Sequence, residues 1–269
     1  MNISIGCSGW SYPEWSGAFY PKSTKPSLRV YSSFFNTVEV NSTFYKVPPK
    51  KNVQSWLKQL TKNSEFTFSI KAPAEFTHPF KSDDMKKRLD SFNLFAENVL
   101  TPIKNSGRLA STMFGLPPWI GKTNFVSELK LIQEVTEGWM NPFVEPRNRV
   151  LVSGNEFLNA CTQLDLGAIS VDSPDHLLTE ILDSNKTSYV RFHGRNRKKW
   201  GEKGAGMEKY DYKYTDKELK EIANILQRKE DSKVMVYFNN HPWGNAPVNA
   251  ITLGNLLGIK IKTYQSMLS

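Results

Sequence analysis

Three polar pairs stand two residues apart, each at the end of a short apolar run: Glu39 with Asn41, Glu145 with Arg147, and Arg191 with His193. If these runs are strands, both members of a pair face the same side, because side chains alternate along a strand. Carboxylates and imidazoles suit proton transfer, and guanidinium groups hold anions. Buried ionisable pairs are costly unless they are matched, so they are often kept for a function. The alternative is a satisfied internal salt-bridge network of Glu39, Arg147 and Arg191.

The residues that we predict to be catalytic are Glu39, His193 and Lys71. Glu39 and His193 would exchange protons, as in a hydrolase or a lyase, and an imidazole titrates near neutral pH. Gly194 beside His193 permits a ligand to approach closely. The alternative to a catalytic role is that His193 is a hydrogen-bonded structural histidine. Lys71 could form a Schiff base, as strand lysines of barrel lyases do, or it could pair with Glu39 across adjacent strands.

Eight further residues at predicted strand ends are candidates for ligand binding: Trp10, Tyr12, Asn41, Tyr45, Arg147, Arg191, Asn239 and Asn240. Aromatic rings beside arginines suit stacking on bases or sugar rings. Packing between loops and a barrel rim is the alternative explanation for the aromatic members of this set.

A metal site would draw on five residues, namely Glu39, Glu145, Asp172, His193 and His241. The chain has 4 histidines, too few for a centre with several zinc ions. A single Mg²⁺ or Mn²⁺ needs only carboxylates. We predict that no cofactor is required and assign no metal ligands, with the single-ion alternative left open.

The elements that must position these residues follow from the apolar pattern. Short runs bounded by Gly, Pro, Asn or Asp predict eight strands, at Ile3–Gly6, Thr37–Val40, Glu65–Ile70, Arg108–Phe114, Pro142–Glu145, Ala168–Val171, Ser188–Phe192 and Lys233–Phe238. Helical periodicity between them is clearest over Asp83–Ile103, and it recurs over Phe125–Val135 and Leu219–Leu226, the latter with Thr215 or Asp216 as its N-cap.

Strand and helix therefore alternate eight times over about 250 residues, which predicts a single (β/α)8 TIM barrel, an α/β fold, spanning residues 1–269 as one domain. Active sites of such barrels lie at the C-terminal ends of the strands. An open doubly wound sheet is the alternative, although no Gly-x-Gly-x-x-Gly motif follows the first strand.

Charge and composition indicate the kind of partner. Lys and Arg number 35 against 26 for Asp and Glu, which gives a net charge of +9. This excess favours an anionic small molecule or a nucleic-acid fragment as partner, although a basic surface without a ligand explains it equally.

The sequence has neither an apolar run of about 18 residues nor a signal-peptide pattern, so we predict a cytoplasmic protein that binds no membrane. Cys7 and Cys161 predict two free buried thiols, and the oligomeric state stays open.

A long segment that we predict to be irregular, Gly194–Tyr212, joins the seventh strand to its helix. Its charged residues are Arg195, Arg197, Lys198, Lys199, Lys203 and Lys209 against Glu202, Glu208 and Asp211. Glycines at 201, 204 and 206 would give it hinge freedom. We predict a basic lid that orders over an anion, with Trp200 closing over an apolar ring; a solvated or disordered basic loop is the alternative.

A family resemblance is carried by five stretches: GCSGWSYPEW from Gly6, FNTVEVNSTFY from Phe35, YVRFHGR from Tyr189, YFNNH from Tyr237 and NAPVNA from Asn245. They resemble the motifs of domain-of-unknown-function family 72, also called YecE-like, and the similarity runs nearly from end to end. The resemblance implies a barrel fold and a family without an established biochemical activity.

Two functions are consistent with these observations. One is an enzyme that acts on a phosphorylated or other anionic ligand, nucleotides and nucleic acid included, at the C-terminal mouth of the barrel. The other is a non-enzymatic protein that binds an anion or nucleic acid. An acid–base group within about 3 Å of a ligand atom would favour the enzyme.

Overall fold

The computed structural model describes residues 2–78, 84–138, 141–152, 155–183, 187–202, 204–229 and 232–261. Within these residues, eight parallel strands with helices between them form a nearly closed barrel, in the order β1-β8-β7-β6-β5-β4-β3-β2. The (β/α)8 fold predicted from the sequence is therefore confirmed, and the open doubly wound alternative was wrong.

The strands coincide closely with the predicted apolar runs. They are β1 Asn2–Cys7, β2 Thr37–Val40, β3 Thr67–Lys71, β4 Leu109–Gly115, β5 Pro142–Glu145, β6 Gly167–Asp172, β7 Thr187–Phe192 and β8 Lys233–Phe238. β2, β5 and β8 begin and end where the sequence predicts, and the others differ by one or two residues at an end. Strands buried on both faces are continuous apolar runs, which is why their bounds can be found in the sequence.

The helices are α1 Leu28–Tyr31, α2 Ser42–Tyr45, α3 Lys50–Gln59, α4 Ala74–Thr77, α5 Met85–Phe95, α6 Thr101–Asn105, α7 Phe125–Thr136, α8 Arg149–Val152, α9 Asn155–Gln163, α10 Arg197–Trp200, α11 Asp216–Gln227 and α12 Asn245–Leu256. The predicted helix 83–103 corresponds to α5 and α6, joined by one π-helical turn at Ala96–Leu100; residue 83 lies outside the described residues. Thr215 caps α11 in a reciprocal capping box with Glu218. Thr215 is one of the two residues that the sequence offers as N-cap.

The chain divides into two compact units, and the domain organisation predicted from length stays a prediction. The first unit comprises the described residues of 1–38, 170–181 and 186–269, and in it β8 pairs with both β1 and β7. The second comprises the described residues of 39–169 and 182–185, and in it β4 pairs with both β3 and β5. Each unit has its own buried aromatic residues, among them Trp15 and Tyr31 in the first and Phe66 and Phe68 in the second.

The register of β7 and β8 separates two faces of the first unit's sheet. Phe192 lies beside Phe238, their rings stack at 4.8 Å, and both contact the ring of Tyr214. Arg191 lies beside Tyr237, so these two side chains point to the opposite face. The candidate polar residues of β7 therefore share one face, as their spacing predicts.

No helix within the described ranges is both long enough and apolar enough to cross a membrane.

Candidate functional site

His193 follows β7 directly and continues its pairing with the neighbouring strands. Its backbone N–H donates to Asp172 O at 2.9 Å, and Asn239 N–H donates to Phe192 O at 2.8 Å. This extension places the side chains of Arg191, His193 and Asn239 on the same face. All three are buried, with exposed fractions of 0%, 2% and 5%.

A hydrogen bond fixes the His193 ring. Asn239 Nδ2 lies 3.1 Å from His193 Nδ1. Because an amide nitrogen can only donate, Nδ1 accepts in this arrangement, and the neutral ring carries its proton on Nε2. Nε2 of His193 is then a hydrogen-bond donor, which suits stabilisation of negative charge on a reacting oxygen.

Aromatic rings cover His193. Trp200 and Tyr210 lie with ring centroids 5.9 and 6.0 Å from the His193 ring, and 6.0 Å from each other. Tyr210 also lies 5.8 Å from His241, which stacks on Tyr12 at 4.5 Å. Since Trp200 and Tyr210 belong to segment 194–212, this segment lies over the end of β7.

Segment 194–212, predicted to be irregular, has no regular secondary structure over most of its described residues but includes two short helical turns. It contains α10 and a 3₁₀ turn at Glu208–Tyr210. Within the segment, Asn196 Nδ2 donates to Glu208 O and Asp211 O. The segment is also tied to the rest of the unit, because Trp200 Nε1 donates to Asp175 Oδ2 and Tyr212 O accepts from Asn240 Nδ2. The sequence shows glycines and charges but not these partners, which lie up to 28 residues away along the chain.

The positive charge of the segment is partly matched by acids. Arg195 contacts Asp172 at 2.8 Å and Glu218 at 3.0 Å, both outside the segment. Lys199 contacts Glu202 at 2.9 Å and Glu208 at 3.3 Å. The surplus of positive charge that the composition of the segment suggests is therefore partly neutralised in the folded chain. Arg197 and Lys198 are exposed. Residue 203 lies outside the described residues.

Asp172, a candidate metal ligand from the sequence, organises the first unit. Its carboxylate accepts hydrogen bonds from Tyr214 Oη at 2.6 Å, Arg195 Nε at 2.9 Å and Nη2 at 2.8 Å, and Leu178 N at 2.9 Å. Burial and the neighbouring Asp172 raise the pKa of Tyr214 well above its usual 10, so its hydroxyl stays a donor. Across the part of the chain that the structure describes, no group of three or more His, Cys, Asp or Glu side chains could hold a metal ion.

In the second unit, Lys71 ends β3 and is 9% exposed. Its Nζ lies 4.1 Å from the centroid of the Phe44 ring, in a cation–π contact. Thr43 Oγ1 donates to Lys71 O at 2.6 Å, which fixes α2 against β3. Glu39 in β2 is fully buried, whereas Tyr45 at the end of α2 is 84% exposed. Their catalytic and ligand-binding roles stay predictions.

Other candidates make contacts within one unit. Glu145 Oε1 contacts Arg147 Nε at 3.0 Å, so this predicted pair is an ion pair. Tyr12 Oη donates to Ser8 O, and Trp10 O accepts from Tyr20 Oη. Asn240, predicted to bind a ligand, uses its amide nitrogen to hold Tyr212 O and Asn249 Oδ1. Asn41 is half-buried directly after β2.

Sequence reasoning missed Trp119. This residue is 58% exposed in the loop after β4, and its ring lies 5.7 Å from His78. Burial first, and then the positive charges of Lys71 and Arg147, lower the pKa of His78 from 6.5 to about 4. The signal available in the sequence was a tryptophan beside Pro118 directly after a predicted strand.

Acid is expected to destabilise the first unit through His241. This ring is 6% exposed, its Nδ1 accepts no hydrogen bond from the described residues, and burial lowers its pKa from 6.5 to about 4. Glu14 Oε1, at 4.0 Å from Nδ1, is beyond hydrogen-bond range. The unfolded chain therefore gains a proton below about pH 6.5 that the folded chain does not take up, and stability falls as the pH drops towards 4. The free energy of unfolding should therefore fall by about 2 kcal/mol between pH 7 and pH 5 because of this group.

Urea denaturation at both pH values, on the native chain and on His241→Gln, measures this contribution. The variant should lose about 2 kcal/mol less than the native chain on acidification. An identical pH dependence in the two proteins would contradict the assignment to His241.

Comparisons with known proteins agree with this architecture. The family model described as "Protein of unknown function DUF72" matches residues 4–268. The chain is similar to UPF0759 protein YunF of Bacillus subtilis (strain 168), with 30% identity covering 96% of this chain and 95% of that protein. A shorter similarity, 37% over 76 residues, relates 28% of the chain to 25% of UPF0759 protein YecE of Escherichia coli (strain K12).

Two solved structures share the fold. A DUF72 family protein from Enterococcus faecalis V583 superposes with a TM-score of 0.80 at 21% identity, covering 97% of both chains. A DUF72 family protein from Thermotoga maritima MSB8 superposes with a TM-score of 0.78 at 27% identity, covering 96% of this chain and 100% of the other. The names of these relatives state no reaction or ligand.

Proposed function

The chain belongs to the DUF72 family, and we propose that it is an enzyme, a hydrolase or a lyase, that binds an anionic, phosphate-bearing ligand and uses His193 for acid–base catalysis. The observation that carries the proposal is the buried His193 ring, held by Asn239 and covered by Trp200 and Tyr210. An imidazole with a fixed tautomer in a water-poor setting is the arrangement that acid–base catalysis needs.

Arg191 supports the anionic character of the ligand. Its guanidinium keeps its charge at any physiological pH and lies on the same strand face as His193. Phosphate sites after strands seven and eight recur in barrels of this class, which is an argument from fold analogy. The net charge of +9 favours the same class of ligand.

Segment 194–212 would control entry. His193 is 2% exposed beneath Trp200 and Tyr210, so a ligand reaches its ring only when the segment moves. Closure of such a segment excludes water and strengthens the charge contacts beneath it. This arrangement favours an enzyme over the non-enzymatic anion binder, because simple capture needs no sealed histidine.

Glu39 and Lys71 keep the catalytic roles predicted from their strand ends, as base and as amine nucleophile. The remaining predicted ligand-binding residues are Trp10, Tyr12, Asn41, Tyr45, Arg147, Asn239 and Asn240. Each is tested by its own variant once a ligand is known.

The test begins with a thermal-shift screen against phosphorylated metabolites, nucleotides and inorganic phosphate, with and without Mg²⁺ or Mn²⁺. We expect Arg191→Met to weaken the best hit about 10- to 100-fold, the range for a lost hydrogen bond to a charged group. His193→Asn should retain most of the binding and lose turnover, which is measured by analysing the products. Lys198→Met removes an exposed charge of segment 194–212 and serves as the control.

Two results would contradict the proposal. One is binding that Arg191→Met leaves unchanged, and the other is a tightly bound hit that is never converted. The second result would favour the non-enzymatic alternative.

A further inference from the structure

Four rings of the second unit form a continuous row, which we call the aromatic row: Tyr45, Phe44, His78 and Trp119. Successive ring centroids are 5.3, 5.1 and 5.7 Å apart, and each pair meets edge to face. The rings come from α2, from the residue that ends α4, and from the loop after β4. The row therefore depends on the fold rather than on any one stretch of sequence.

The two ends of the aromatic row are open to solvent. Tyr45 is 84% exposed and Trp119 is 58% exposed, whereas Phe44 and His78 between them are half-buried. Large rings left in water at a rigid site mark an interaction surface. Because two rings separate the exposed ends, one planar ligand is not expected to cover both, and the row suits a ligand with several rings.

Positive charge accompanies the row. Lys71 Nζ lies 4.1 Å from the Phe44 centroid, and Lys71 and Arg147 both act electrostatically on the His78 ring. Arg147 is paired with Glu145, but its side chain is 25% exposed. Lys46, the residue after Tyr45, is exposed. Rings interleaved with cations are the pattern that recognises bases joined by phosphates.

The row is held in place before any ligand arrives. Thr43 Oγ1 lies within hydrogen-bond range of both Val40 O and Lys71 O and so fixes α2, which carries Phe44 and Tyr45. Asn148 Nδ2 donates to Pro118 O at 2.9 Å and so fixes the loop of Trp119. Rings that are already ordered lose less entropy on binding.

We propose that the aromatic row binds single-stranded nucleic acid, with bases stacked on Tyr45 and Trp119 and phosphates beside Arg147 and Lys46. The proposal does not rest on the acid–base chemistry of His193, and it assigns Tyr45 and Arg147, named above among the predicted ligand-binding residues, to the nucleic-acid strand. Stacking on a ring tolerates any base, so the binding has little sequence preference and weakens with salt.

Fluorescence anisotropy of a labelled single strand of about 12 nucleotides, within the usual site sizes, measures this binding. We expect Tyr45→Ala and Trp119→Ala each to weaken it about 5- to 100-fold, whereas Trp119→Phe retains most of the affinity. The matched control is Trp243→Ala, which removes a tryptophan of the first unit that is 68% exposed and leaves the affinity unchanged. His193→Asn should also bind the strand normally, which separates this test from that of the proposed function.

Three outcomes would overturn the proposal. These are absence of binding by the native chain, an unchanged affinity in the double variant Tyr45→Ala/Trp119→Ala with a native melting temperature, and equal competition by a mononucleotide or a duplex. The last outcome would indicate a small-molecule or duplex site instead.

Discussion

Replacing Asp172 with alanine is expected to lower the free energy of unfolding by about 3–5 kcal/mol, the range for removing one partner from a buried ion pair. Asp172 is 0% exposed and accepts four hydrogen bonds, from Tyr214, Leu178 and two nitrogens of Arg195. Alanine leaves the Tyr214 hydroxyl buried without its acceptor, and among the described residues it leaves Glu218 as the remaining acidic partner of Arg195. Each unmet donor carries its full desolvation cost.

Urea denaturation of Asp172→Ala and of Asp175→Ala provides the measurement. Asp175 is exposed and accepts a hydrogen bond from Trp200 Nε1, so its loss should cost about 1 kcal/mol or less. The two variants remove the same group three residues apart in the chain. Equal stabilities would show that the Asp172 network is not the anchor of this unit.

Much of the barrel could be predicted because its strands are buried on both faces. Such strands are rich in apolar residues, and β2, β5 and β8 begin and end where the sequence predicts. The start of β3 differs because the buried Phe66 continues the apolar pattern without belonging to the strand, which begins at Thr67. A run of residues shows where a strand can form, whereas pairing with a neighbour decides where it begins.

The roles of single polar residues could not be predicted in the same way. Asp172 was a candidate metal ligand from its place at a strand end, but Arg195 and Tyr214, 23 and 42 residues later, take up its carboxylate. The pairing of Glu145 with Arg147 could be predicted because the two residues are close in sequence, with Glu145 at the end of β5 and Arg147 two residues later. Local spacing predicts partners on the same element, and only the fold brings in partners from elsewhere.

The contacts of the aromatic residues likewise depend on the fold rather than on local sequence spacing. Tyr12, predicted to bind a ligand, stacks on His241, a contact between residues 229 positions apart that no sequence pattern shows. Trp119 joins His78 only because their two loops meet at one end of the second unit's strands. Sequence patterns therefore locate the ends of strands well but not the surfaces that loops build there.

Gly194→Ala is expected to cost about 3 kcal/mol and to detach segment 194–212 from the end of β7. Gly194 has a φ of +84°, in the left-handed region that an alanine adopts with a strain of about 1–2 kcal/mol. An alanine Cβ would also lie 2.7 Å from Tyr212 Cβ, which is not the movable end of a side chain. Overpacking of this kind typically costs a further 1–3 kcal/mol. The segment relieves it by moving away, and the cover of Trp200 and Tyr210 over His193 is then lost.

Gly204→Ala separates the two causes within the same segment. Gly204 has a φ of +90°, but an added Cβ there meets no atom within 4 Å, so this variant carries the backbone strain without the clash. Hydrogen exchange of residues 194–212, with Trp200 fluorescence as a second probe, should show faster exchange and a more solvent-exposed tryptophan in Gly194→Ala. In Gly204→Ala exchange should rise only near residue 204, with a stability loss of about 1–2 kcal/mol. If both variants open the segment alike, strain alone governs it, and the contact of Gly194 with Tyr212 is not what holds the segment over His193.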